Sequence, residues 1–181
     1  MKKQVIAVVL VLAMVLCLTA CSDAGEKVNS VASGVAGSVK SFIKGDVTGT
    51  LNKSYSTQWF DFTVHSIKTA YSYSGYDVDD GWKFVIVNVT ETNTFGEPIP
   101  MSVYDFELGT EIPEEEDRWP LEPLDDSPQM MPEEFELADG ESATYDVVFV
   151  IPDEIVDISF IYVELDDTDA THATFTIKHS L

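Results

Sequence analysis

Trp82-Lys83-Phe84-Val85-Ile86-Val87-Asn88-Val89-Thr90-Glu91-Thr92 is the stretch on which the fold turns. Phe84 and Ile86 alternate with Val85, Val87 and Val89, so both faces of an extended chain are apolar near its middle. Such a run is expected of a central strand buried on both sides, or of one crossing a sandwich core. The pattern repeats outward. Phe60, Phe62, Val64 and Ile67 predict a strand before the turn-rich Tyr71–Gly75. Gly96-Glu97-Pro98 turns the chain, and Val103 to Leu108 predicts a shorter strand. Ala138-Asp139-Gly140-Glu141 is turn chemistry, with Asp-Gly supplying a positive-φ position. Ala143 to Ile151, Ile155 to Leu165 and Thr171 to Lys178 follow as strands, with Pro152 between the first two. Ala173, Phe175 and Ile177 form the inward face of the last. About seven short strands, turn signals between them and no long helical pattern predict an all-β, antiparallel sandwich or barrel.

The N-terminus reads as an address. Lys2 and Lys3 precede an uncharged apolar run, Val5 to Leu18, and then Leu18-Thr19-Ala20-Cys21. A charged start, an apolar stretch and small residues describe a signal peptide. The run is short of the ~20 residues that span a bilayer. Leu18-Thr19-Ala20-Cys21 resembles the lipobox of bacterial lipoproteins. That resemblance implies cleavage before Cys21, acylation of its thiol and anchoring at the extracytoplasmic face of the cell membrane. Two or more acyl chains hold stably where one does not. Cleavage would also remove Cys17, leaving a domain with no disulfide, stabilised by packing alone.

Three segments follow from composition: a signal peptide over 1–20, a tether over 21–56 and a folded domain over 57–181. The tether is rich in Ser, Gly, Ala, Thr, Val and Lys. Val28, Val31, Val35, Val39, Phe42 and Ile43 recur at helical steps, which suggests a marginal helix weakened by Gly34 and Gly37. The charge lies elsewhere. The chain holds 32 acidic and 10 basic residues, a formal charge of −22. From Asp61 onward the only cations are Lys68, Lys83, Arg118 and Lys178. This balance excludes nucleic acid, whose phosphates demand a basic footprint. It favours a cationic protein or another cell-envelope ligand.

Gly81-Trp82-Lys83-Phe84-Val85-Ile86-Val87-Asn88-Val89-Thr90-Glu91-Thr92-Asn93 resembles a signature of telokin-like, immunoglobulin-like domains of unknown function found in Gram-positive lipoproteins. Pro98-Ile99, Phe106-Glu107-Leu108, Asp139-Gly140-Glu141 and Val147-Val148-Phe149-Val150-Ile151-Pro152 continue the resemblance. It implies an immunoglobulin-like sandwich, an extracellular location and often a lipid anchor. It supplies no catalytic residues. Glu111–Asp126 departs from the pattern, being acidic and Pro-rich.

Chemistry is sparse. His65, His172 and His179 are not at close ligand spacing. No Gly-x-Ser-x-Gly elbow, P-loop or dinucleotide fingerprint occurs. Asp77, Asp79 and Asp80 open an acidic turn that would suit calcium, yet an EF-hand frame fails because its twelfth position is Asn88. Glu114-Glu115-Glu116-Asp117, Asp125-Asp126 and Glu133-Glu134 flank Trp119, Pro120, Leu121, Pro123, Met130 and Met131. These make either a contact surface centred on Trp119 or anchors pinning a long loop to the sandwich. The expectation is a lipid-anchored binding module, not an enzyme and with no obligatory cofactor. A calcium-dependent module and a small cell-surface hydrolase stand as alternatives.

Overall fold

A computed structural model describes residues 44–111, 119–124, 127–165 and 170–181, which belong to one compact unit. The signal peptide, Cys21 and the Val28–Ile43 stripe lie outside the described residues, as do Glu114–Asp117 and Asp125–Asp126. Among the described residues twelve strands are formed, in chain order β1 (Gly45–Gly49), β2 (Ser54–Ser56), β3 (Phe60–Ala70), β4 (Ser72–Tyr73), β5 (Tyr76–Asp77), β6 (Trp82–Asn93), β7 (Ile99–Ser102), β8 (Phe106–Thr110), β9 (Glu134–Leu137), β10 (Ser142–Pro152), β11 (Asp157–Leu165) and β12 (Thr171–Ser180). One four-stranded sheet has the order β1-β12-β11-β8, and the other β10-β6-β3-β2. The hairpin β4-β5 and the ribbon β7-β9 complete the fold. The protein is an all-β sandwich.

The decisive stretch is β6, central in its sheet between β10 and β3. Its inward register is Val85, Val87 and Val89, all fully buried. Phe62, Phe106, Phe149, Phe160 and Phe175 fill the space between the sheets. Phe62 meets Phe175 edge-on at 5.5 Å, and Phe106 stacks on Phe160 at 4.9 Å. The described residues hold no cysteine, so this packing holds the two sheets together.

Two sequence expectations are corrected. Residues 45–56, assigned to the tether, supply β1 and β2. β1 lies parallel to β12, Val47 opposite Phe175, while the other strand pairs are antiparallel. Second, Val103–Asp105 is a 3-10 turn and not the start of a strand. Ser102 and Asp105 form a reciprocal capping box there, which holds the turn against the extended alternative.

At Tyr71–Gly75 the chain makes the β4-β5 hairpin. Ser74 and Gly75 both take positive φ, 50° and 85°, the conformation of a tight two-residue hairpin turn. Leu121 and Met131 donate their amides to β10 carbonyls at 2.8 and 3.0 Å, which ties both residues to the β10 edge.

Candidate functional site

At one end of the sandwich, Thr57 builds a turn that presents an aromatic ring. The amides of Trp59 and Phe60 donate to Thr57 Oγ1 at 3.1 and 3.0 Å. The Thr57 hydroxyl and amide both donate to the Phe60 carbonyl. This holds Trp59 half-buried against the margin of the core while Phe60 starts β3 within it. Asn93, at the end of β6, does the same for the next loop. Its Nδ2 donates to the carbonyls of Glu97 and Leu137 at 2.7 and 2.8 Å, and its Oδ1 accepts the Phe95 amide at 2.8 Å. Phe95 is thereby held 4.6 Å from the Trp59 ring while 45% exposed.

Those two rings form the lip of a groove of about 510 Å³. Ile99, Pro100 and Met101 of β7 line one side, and Tyr162, Val163 and Leu165 of β11 the other. This volume falls within the ~300–1,000 Å³ range of ligand pockets. Asp105 is the acid on its lining. The Asp105 carboxylate accepts the Ser102 amide at 2.8 Å. Burial raises the Asp105 pKa, and that backbone bond opposes the rise.

Glu91 and Glu164 stand behind this wall, both almost without exposure. Glu164 accepts the Gln58 amide. Among the described residues, Glu91 has no hydrogen-bond partner at either oxygen. Burial, then the Asp105 charge, pushes the Glu91 carboxyl up to about 8. Burial likewise raises Tyr162, helped by the charges of Glu164 and Asp105. Glu91 is therefore mostly a neutral acid at pH 7, which lowers its charge-burial cost.

None of the described residues that the sequence offered as candidate ligands or contact points lies in this groove. Asp77 ends β5, and Asp79 and Asp80 occupy the turn into β6, all exposed at the opposite end of the sandwich. With Val78, Trp82, Phe84 and Val150, Asp77 and Asp79 line a shallow depression of about 400 Å³. Among the described residues, no group of three His, Cys, Asp or Glu is placed to hold a metal ion. Trp119 is 45% exposed, whereas Met130 and Met131 beyond it are buried. Met130 packs with Phe84 and Val148, so the loop's methionines serve as anchors. His65 sits at a bulge in β3 and bonds Thr90 Oγ1 at 2.7 Å on the outer face. His172 and His179 are half-buried on β12.

The groove draws on the turn before β3, the β6–β7 loop, β7, the 3-10 turn and β11. No local spacing announces such a site. One signal was available: Glu91 falls on the same alternate register as Val85, Val87 and Val89. A carboxylate on the buried face of a central strand marks a place where the core is interrupted.

No family model matches this chain. No curated protein matches it either. Among solved structures, it is similar to the yjhA protein of Bacillus subtilis, at 16% identity and a TM-score of 0.52, covering 72% of this chain and 98% of that one. It is also similar to the ycdA protein of Bacillus subtilis, provisionally described as a lipoprotein, at 18% identity and a TM-score of 0.52. That match covers 70% of this chain but 38% of ycdA. At these identities the likeness speaks to the fold alone.

Proposed function

We propose that this chain is a lipid-anchored extracytoplasmic binding module of the telokin-like, immunoglobulin-like type, and that the groove beside Trp59 and Phe95 is its binding site. The observation that carries the reading is the groove itself. Two aromatic rings are held at the surface by dedicated hydrogen bonds, over an apolar slot with a carboxylate on its lining. Well-formed apolar clefts with a few polar groups are the usual shape of binding sites. Support for the anchor comes from Leu18-Thr19-Ala20-Cys21 behind an apolar run. The similarity to ycdA, which is described provisionally as a lipoprotein, is in keeping with it.

The anchor is tested by Cys21→Ala, which is expected to leave the precursor uncut and without acyl chains. Normal cleavage and unchanged membrane retention of the variant would refute it. The site is tested by photo-crosslinking in intact cells from a reactive residue placed at Phe95. Adducts with envelope components that disappear in Trp59→Ala are expected. Adducts of equal yield from position 79, at the other end of the sandwich, would remove the groove from consideration.

A further inference from the structure

We propose that the groove takes an extended cationic segment of another protein by strand addition, between the free edge of β7 and the last residues of β11. The inference rests on reading the groove as the binding site, and deepens it.

Backbone geometry supplies the first argument. β11 pairs with β8 only from Ile158 to Tyr162, because β8 begins at Phe106, where the chain comes out of the 3-10 turn. Val163, Glu164 and Leu165 keep their ladder with β12. Among the described residues no strand lies on their other side. Among the described residues β7 pairs with β9 alone; on its other edge Pro100 has no amide and the Ser102 amide is held by Asp105, so that edge offers carbonyl acceptors. The groove lies between these two strands. Unfinished strand edges flanking an apolar slot are what strand-adding recognition uses, with main-chain bonds for affinity and alternate side chains for specificity. Pro100 offers no amide donor on β7, a usual guard against edges pairing indiscriminately.

Charge supplies the second argument. Asp105 lines the slot. The whole chain carries −22. A lysine or arginine on the incoming strand would meet the Asp105 carboxylate and the faces of Trp59 and Phe95. Its alternate apolar residues would pack on Met101 and Leu165. An acidic strand would meet repulsion at every step of its approach.

The test uses the full chain in detergent micelles and three synthetic probes, titrated calorimetrically. One is a short peptide of alternating valine and lysine. The second replaces lysine with glutamate. The third is the lysine peptide with its backbone amides methylated, so that it cannot donate strand bonds. The lysine peptide is expected to bind, the other two at least about tenfold more weakly. Leu165→Lys, at an exposed position, is expected to weaken the lysine peptide by about tenfold, as is Asp105→Asn. The double substitution Asp77→Asn, Asp79→Asn is expected to leave it unchanged. Equal binding of the methylated peptide would overturn strand addition, and an equal loss in the Asp77, Asp79 variant would reduce the effect to diffuse charge. If no peptide binds while crosslinks from position 95 persist, strand addition falls and the binding-module reading stands. If neither is seen, both fall.

Discussion

Glu91 stands opposite Phe62 on one neighbouring strand and Ala143 on the other. Neither offers a side-chain polar group, and Asp105 is the charged group whose field reaches it. The direction of its pH effect follows. Below about pH 4.5 the carboxyl is protonated whether the chain is folded or not, and burial of the charge costs nothing. Between 4.5 and about 8 the unfolded chain gives up its proton while the folded one keeps it. Stability therefore falls as pH rises, by about 1.4 kcal/mol per pH unit. Above about 8 the folded protein ionises as well and the loss levels off. At pH 7 the deficit is about 3 kcal/mol. Glu91→Gln is expected to remove this slope. Urea denaturation of variant and parent at several pH values reads the difference between their profiles, and parallel profiles would show that Glu91 does not titrate in this window.

The β6–β7 loop depends on one side chain. Asn93 satisfies two carbonyls and one amide while 1% exposed. Asn93→Ala leaves those groups without their partner and is expected to cost about 2 to 4 kcal/mol, seen as a lowered denaturation midpoint. It should also free Phe95 from Trp59, which the quenching of Trp59 fluorescence would report. β1 is held differently. A Cβ on Gly49 would lie 2.8 Å from Ile177 Cγ1 and 3.0 Å from the Tyr55 ring. Gly49→Ala is expected to destabilise the β1–β12 pairing, with faster hydrogen exchange across β1 and little change in β3 or β6. These two elements also mark what could be read in advance. β3, β6, β10, β11 and β12 were legible because each alternates or saturates in apolar residues long enough to show a period. β1 was not, because Gly-Asp-Val-Thr-Gly has no apolar face and takes its place from β12. β7 and β9 have four residues each, too few for a pattern. The groove was illegible because its walls meet only after β7 and β11 have been positioned by different sheets. Glu91 was the exception, visible on the valine register yet easily taken for the polar end of a strand.

Across the whole molecule, charge sets the terms of encounter. With residues 1–20 removed, the chain would carry −24. Association with a cationic partner is expected to slow as salt is raised, while dissociation changes less, because screening acts on the approach over about 8 Å at physiological ionic strength. Stopped-flow measurement at several salt concentrations separates the two rates. The 23 residues from Ser22 to Lys44, fully drawn out, reach at most about 80 Å from an anchored Cys21. The parallel pairing of β1 with β12 adds a kinetic consequence. The first strand of the sandwich finds its partner only in the last, Gly45 beside Ala173. Until Thr171–Ser180 has been synthesised, β1 lacks any neighbour in that sheet and β11 has β8 alone, and closing so long a loop is slow. The fold is thus completed only when its last strand is available, a timing that would suit the export proposed above.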